Sequence, residues 1–418
     1  MAELNLRQLM VKNTGAQMAA MVVSLGLGFL TTTVLSRYLG VESFGKFNYI
    51  FAFFYFFLSL NDFGVNTIVI REVSKTRELA GEVIGAMLSF KLLLAIVSMV
   101  AAWITIGLMD FPTELRNSLC IFALILPVTA LELPSVIYQV TLKLDRLTIL
   151  TLLTKGIVGF LLLMGVVWLG YKLRALSMAY ILAEMVFLVV VVKDTRKFVR
   201  PVLRFDPKLW KQILQPSLTI GVTGLFGAII NQVDFMMLER MTDMRQVGLY
   251  AAAHKVTNLL ESVPLMVMGT LYPVMSRYAR EEPQGLRRLY KKSILGLGAL
   301  AIPMGIIVTL FSPTIVRLLF GIQFKGAERG LAILVWATVF LYLAITGGVL
   351  LISIGKERVS LVLTFLGAGL NIALNFMLIP TKGFVGGALA TAATYLFILI
   401  GICAASYRAL HGKEWVGI

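Results

Sequence analysis

The run IGAMLSFKLLLAIVSMVAAWITIG, residues 84–107, holds 24 residues and a single charge, Lys91. A helix rises about 1.5 Å per residue and the hydrocarbon core of a bilayer is about 30 Å thick, so roughly 20 apolar residues make one crossing. The run therefore reads as a membrane-spanning helix. Runs of similar character recur at 14–36, 46–66, 117–140, 148–170, 174–192, 214–238, 247–274, 293–313, 328–353, 359–380 and 383–407, which makes twelve in all. They are too long and too continuously apolar to be barrel strands, and helices alone otherwise satisfy their own backbone in lipid. The expected fold class is an all-α polytopic membrane protein of about twelve transmembrane helices.

Composition agrees. The 418 residues are 58% hydrophobic and 14% charged, with mean hydropathy +0.87. Soluble domains carry about a quarter charged residues, so little of this chain is left for a soluble domain. The formal charge of +16 would point to nucleic acid in a soluble protein. Here it belongs to loops beside the membrane, and nothing resembles a nucleic-acid-binding module. Cys120, Cys403, His254 and His411 show no metal-ligand spacing, so neither a disulfide nor a metal is expected. Arg7 and Lys12 precede the first run, but that run continues to Leu35, too long for a cleaved signal peptide.

With a cytoplasmic N-terminus, Lys and Arg number 24 in the inside segments, Lys413 among them, and 11 in the outer loops, with three lysines inside spans. The positive-inside bias thus puts both termini in the cytoplasm, and the expected location is the cell (inner) membrane. The most basic segment, KDTRKFVRPVLRFDPKLWKQ (193–212), separates two sets of six spans. The expected organisation is an N-terminal six-helix bundle, 1–192, a basic cytoplasmic linker, 193–212, and a C-terminal six-helix bundle, 213–418. A repeat supports the division: LSRYLGVESFGKF (35–47) and LERMTDMRQVGLY (238–250) match at Leu35/Leu238, Arg37/Arg240, Gly45/Gly248 and Phe47/Tyr250. Halves of six spans enter the membrane from the same side, as in parallel-repeat transporters.

The segment LSRYLGVESFGKFNYIFAFFYFFLSLNDFGVNTIVIREVSK (35–75) closely resembles the start of polysaccharide biosynthesis proteins, the Wzx-type flippases of lipid-linked oligosaccharides. INQVDFMML (230–238), GLYAAAHKVTNLLESVPLMVMGTLYPVMSR (248–277), ISIGKERVS (352–360) and GLNIALNFMLIPTKGFVGGALATAATY (369–395) are similar to the same group. That group sits in the multidrug/oligosaccharidyl-lipid/polysaccharide exporter superfamily, with lipid II flippases and drug/cation antiporters. The resemblance implies two six-helix bundles forming a V-shaped central cavity and alternating access. It implies a polyprenyl-pyrophosphate-linked glycan as cargo, with membrane lipids and polysaccharide assembly proteins as partners. A lipid II flippase or a drug/cation antiporter is the alternative within the superfamily. A membrane glycosyltransferase or polymerase, or a scaffold for the assembly machinery, is the alternative outside it. No Gly-rich phosphate loop with Lys and Ser/Thr is present, so no cofactor is expected and the energy comes from H+ or Na+ coupling or the membrane potential.

Ionisable residues inside spans are costly and mark cavities or partners. The basic ones are Lys91, Lys155 and Lys255. Related flippases carry Arg or Lys where Lys255 stands, and Lys255, Asn258 and Ser262 share a helical face by their spacing. Lys255 is therefore expected to meet the pyrophosphate, while Lys91 and Lys155 line the cavity or snorkel to the interface. The acidic candidates are Asp62, Glu132, Glu184, Asp234 and Glu261; of these Asp62, Glu184, Asp234 and Glu261 are the candidates for ion coupling. Asp234 ends a polar stripe of Thr223, Gly227 and Asn231, and either takes an ion or bonds across helices. Asn371 and Asn375, one turn apart, bond between helices or line the cavity. Arg37 and Arg240 anchor helix ends or help release cargo. Pro127, Pro134, Pro264 and Pro303 are expected to interrupt helices.

Overall fold

The computed structural model describes residues 2–411; Lys413, counted above among the cytoplasmic charges, lies outside them. Regular structure among the described residues is helical. The α-helices are α1 (Ala2–Asp62), α2 (Val65–Lys75), α3 (Ala80–Leu108), α4 (Thr113–Phe122), α5 (Ile125–Ala130), α6 (Ile137–Val140), α7 (Leu144–Thr151) and α8 (Gly159–Trp168). They continue with α9 (Leu173–Thr195), α10 (Pro207–Met241), α11 (Met244–Glu281), α12 (Pro283–Phe320), α13 (Ala327–Ser353), α14 (Glu357–Lys382) and α15 (Phe384–His411).

Eleven helical stretches among the described residues are long and apolar enough to cross a membrane. The first, Val23–Lys75, has 53 residues and is divided at Gly40, where φ 72° and ψ 174° leave the helical region. At about 1.5 Å per residue it measures roughly 80 Å, enough for two crossings. Counted so, the described residues make twelve crossings, and the chain is a multi-pass membrane protein.

Several crossings are discontinuous. Between α1 and α2 the chain turns through Phe63 (φ 38°) and Gly64 (φ 75°), a conformation that glycine adopts freely and phenylalanine does not. The fourth crossing is built from α4, α5, a 3₁₀ turn at Leu133–Val136 and α6. Pro127 and Pro134 lie in it, each lacking the N–H that a continuous helix uses. The fifth contains a π-helical stretch, Leu152–Val158. Pro264 and Pro303 correct the expectation: α11 and α12 run through them unbroken, as membrane helices do when neighbours re-satisfy the freed carbonyls.

The chain divides into two compact units, 1–38 with 53–225, and 39–52 with 226–418. In the first, α2, α3, α6, α9 and the start of α10 meet around Val69, Ile84, Met87, Tyr138, Phe187 and Trp210. The basic segment 193–212 packs within this unit. Val202 N–H donates to the Gly81 carbonyl at 3.2 Å, and Trp210 Nε1 donates to the Ala86 carbonyl at 2.8 Å. Asp194 gathers Arg146 at 2.5 Å, Lys197 at 3.1 Å and the Tyr138 hydroxyl at 2.7 Å.

In the second unit α13 is central and packs on α11, α12 and α15. Here the repeat acquires a structural meaning, because Gly45 and Gly248 face each other. A Cβ at Gly45 would overlap the backbone of Met244 and Gly248, and a Cβ at Gly248 would overlap the Val41 carbonyl. Small residues let membrane helices approach this closely. Gly248→Leu is expected to prevent assembly of this unit and to reduce the monodisperse fraction on gel filtration. Gly227→Ala, whose added Cβ meets nothing within 4 Å, is expected to leave that fraction intact; equal behaviour of the two variants would contradict the close approach.

Candidate functional site

In the second unit, polar residues from four helices converge on Asp234 of α10, which is fully buried. Its Oδ2 accepts hydrogen bonds from the Tyr250 hydroxyl of α11 and, at 2.5 Å, from Thr391 Oγ1 of α15. Its Oδ1 accepts one from Asn375 Nδ2 of α14 at 2.5 Å. That amide also donates to Asn371 Oδ1 at 3.1 Å. One turn back along α10, Asn231 donates to the Gly227 carbonyl at 2.8 Å, and the Tyr395 hydroxyl lies 3.5 Å from Asn231 Oδ1. Asn231 and Tyr395 also border a largely apolar cavity of about 310 Å³. Every hydrogen-bond donor to the Asp234 carboxylate among the described residues is neutral, although burying an unpaired charge costs several kcal/mol. Asn371 Nδ2 and Asn375 Oδ1 are buried without a hydrogen-bond partner among the described residues. The arrangement suits an acid that binds a proton or a small cation.

Lys255, on α11, differs from the other span lysines. It is exposed, as is Asn258 one turn on, and among the described residues it makes no ion pair or hydrogen bond. Ser262 continues the face, half-buried, with its hydroxyl donating to the Leu259 carbonyl at 2.7 Å. Glu261 turns the other way, toward Thr338 Oγ1 at 3.4 Å.

Lys91 and Lys155 are in the first unit and both are paired. Lys91, 4% exposed, reaches Asp62 at 3.4 Å and Asn66 Oδ1 at 3.0 Å. Lys155, from the π-helical stretch, reaches both Glu132 oxygens at 3.2 Å, pairs with Glu184, and lies 4.1 Å above the Phe187 ring. The three span lysines thus separate into two bridged cations, Lys91 and Lys155, and one open one, Lys255. Lys155→Ala would leave Glu132 and Glu184 facing each other without their cation. Removing one partner of a buried pair costs about 3–5 kcal/mol, so a clear fall in thermal unfolding temperature in detergent is expected. Adding Glu184→Gln should recover part of it; no loss in the single variant would show the triad to be idle.

Arg37 and Arg240 are exposed and belong to different units; Arg240 lies 3.7 Å from Glu239. They join neither cluster. Tyr250, Thr391 and Tyr395 complete the Asp234 site, and Asn61 and Asn66 the Lys91 site, without having stood out as site residues. Tyr250 was visible only as a repeat match, and Thr391 only inside the small-residue segment GGALATAA (386–393).

The family described as polysaccharide biosynthesis protein matches residues 10–279, and that described as MatE matches 220–377. The chain is 24% identical over 235 residues to an uncharacterized membrane protein of Methanocaldococcus jannaschii, covering 54% of this chain and 46% of that one. It is 26% identical over 175 residues to the probable low-salt glycan biosynthesis flippase Agl15 of Haloferax volcanii, covering 42% and 37%. The matches thus span less than half the length of either relative. Among solved structures, the lipid II flippase MurJ in its inward closed conformation aligns with TM-score 0.80 at 13% identity, over 93% of this chain and 87% of that one. An inward-facing multidrug resistance MATE family transporter of the MOP superfamily aligns with TM-score 0.75 at 15% identity, over 96% and 100%. At these identities the likeness is one of fold.

Proposed function

Because the chain belongs to the polysaccharide biosynthesis protein family, we propose that it carries a polyprenyl-pyrophosphate-linked oligosaccharide from the cytoplasmic to the outer leaflet of the cell membrane, for surface polysaccharide or glycan assembly. The observation that carries this reading is Lys255, an exposed ammonium without a protein partner among the described residues, inside a membrane-crossing helix. Such a charge is expensive in a membrane unless something anionic meets it. A pyrophosphate concentrates negative charge, and an ammonium in a low-dielectric setting attracts it strongly. Asn258, on the same exposed face, supplies hydrogen bonds beside it. The likeness to the Haloferax volcanii glycan flippase supports the same cargo class.

Asp234, with Asn371, Asn375 and Thr391 around it, is the proposed ion-coupling group of this transporter, taking H+ or Na+. With the cell interior negative, outward movement of negative charge is also helped by about 2.3 kcal/mol per charge for each 100 mV. The excess of Lys and Arg in alternate loops supports a cytoplasmic position for both termini. Deleting the gene and extracting lipid-linked intermediates tests the reading. A transporter leaves the complete lipid-linked glycan accumulating on the cytoplasmic face. A truncated glycan lacking one sugar would instead indicate a glycosyltransferase, and an unchanged pool would remove the transport reading.

A further inference from the structure

The first unit holds a polar cavity of about 200 Å³ that the pyrophosphate site does not use, lined among others by Asn61, Asp62, Asn66, Lys91, Thr129 and Glu132. It sits where two membrane crossings are broken. Asp62 is the last residue of α1, just before the Phe63–Gly64 turn, and Glu132 stands between α5 and the 3₁₀ turn. Discontinuous membrane helices free backbone and polar side chains at depth, and in transporters this is where ligands are held. Phe63 keeps a positive φ, and strain of that kind persists only where its surroundings enforce it, often at binding sites.

One group in the cavity is incomplete. Asn61 is 2% exposed; its Nδ2 donates to the Leu126 carbonyl at 3.1 Å, yet its Oδ1 is buried without a hydrogen-bond partner. An unmet buried acceptor is costly, so a hydrogen-bond donor supplied at this wall of the cavity would be favourable. Lys91 does not supply it, being engaged with Asp62 and Asn66.

The charge balance narrows what that donor belongs to. The cavity's own charges are two carboxylates, Asp62 and Glu132, and one ammonium, Lys91, and both carboxylates are already bridged to lysines, Asp62 to Lys91 and Glu132 to Lys155. An anion would have to displace these carboxylates. A neutral polyol needs no such displacement, because each hydroxyl both donates to carboxylate or amide oxygen and accepts from ammonium or amide N–H. Leu58 and Leu133 add an apolar edge for the C–H face of a ring. The volume lies below the roughly 300–1,000 Å³ of sites for drug-sized ligands, which suits one ring rather than a chain.

We infer that the polar cavity at the two helix breaks of the first unit, around Asn61, Asp62, Lys91 and Glu132, is a binding subsite for a single neutral sugar ring. The inference rests on the flippase reading for its biological cargo, a sugar of the lipid-linked glycan, and is separable from it by experiment. Purified full-length protein in detergent is titrated with free glucose, galactose, mannose and N-acetylglucosamine, with inorganic pyrophosphate in parallel, and binding is followed by saturation-transfer NMR. At least one sugar is expected to bind, and Asn61→Leu, which fills the cavity and removes its open acceptor, is expected to weaken it at least tenfold. Thr129→Val and Asn66→Ala, which alter the lining from other elements, should each weaken it several-fold and serve if Asn61→Leu does not remain monodisperse. Absence of sugar binding, or sugar binding unchanged across folded variants, overturns the subsite. The same preparations are assayed for leaflet exchange of a labelled lipid-linked glycan. Sugar binding without exchange supports the subsite and contradicts the flippase reading; exchange without sugar binding does the reverse.

Discussion

Lys255→Ala is expected to reduce leaflet exchange of lipid-linked glycan at least tenfold, with Lys255→Arg retaining most of it. Two unit charges 4 Å apart attract by about 4 kcal/mol at an effective dielectric near 20. Each factor of ten in rate corresponds to about 1.4 kcal/mol, so even a third of that attraction gives the stated loss. Arginine preserves the charge and adds a fork that matches phosphate oxygens. Because Lys255 is exposed and makes no ion pair or hydrogen bond among the described residues, alanine there should leave the thermal unfolding temperature close to wild type. The loss is thus predicted in transport and not in folding, the opposite of Lys155→Ala. Equal exchange by the alanine and arginine variants would remove Lys255 from the headgroup site.

The second large effect is expected at Asp234. Asp234→Asn should abolish the response of transport to imposed proton and sodium gradients, measured as exchange rate in liposomes with each gradient set separately. Asparagine keeps the volume and one carbonyl acceptor, while the Tyr250 and Thr391 hydroxyls that face Asp234 Oδ2 can rotate to accept from its amide. The bundle should therefore survive. Asp234→Leu should not be tolerated in the same way, because several buried donors would each lose an acceptor at about 1–3 kcal/mol apiece. An unchanged gradient response in the asparagine variant, with the leucine variant unstable, would assign Asp234 to packing between helices alone.

The twelve crossings were legible because each needs only length and apolarity, which a sequence displays directly. The breaks within them were not. NDFG (61–64) reads as the polar end of a hydrophobic run, whereas its positive-φ turn packs against Ser217, Ile220 and Gly221 of α10, and the cavity beside it is lined from α3 and the fourth crossing. The polar site was legible in parts. Asp234, Asn371 and Asn375 are conspicuous because polar groups in apolar runs are costly. That Asn375 and Thr391 meet Asp234 across 141 and 157 residues of chain depends on how four helices pack. Tyr and Thr are also unremarkable in a membrane helix until a carboxylate is placed against them. Lys255 stood apart from Lys91 and Lys155 by its helical face and the family resemblance, but the carboxylates that bridge Lys91 and Lys155 were not legible, since no local pattern announces which lysine meets a distant carboxylate. The repeat was legible as a spacing, but the contact of Gly45 with Gly248 was not, because an offset says nothing about who touches whom.

The proposed activity is movement of an intact lipid-linked glycan between leaflets. Reconstitution of the purified protein into liposomes carrying a fluorescently labelled polyprenyl-pyrophosphate glycan in both leaflets, followed by a membrane-impermeant quencher, measures that directly. Nearly all label is expected to become accessible with the wild-type protein, with its chemical structure unchanged, and Lys255→Ala is expected to slow the process at least tenfold. Label that stays half protected, or a glycan that gains or loses a sugar in place of crossing, would contradict it.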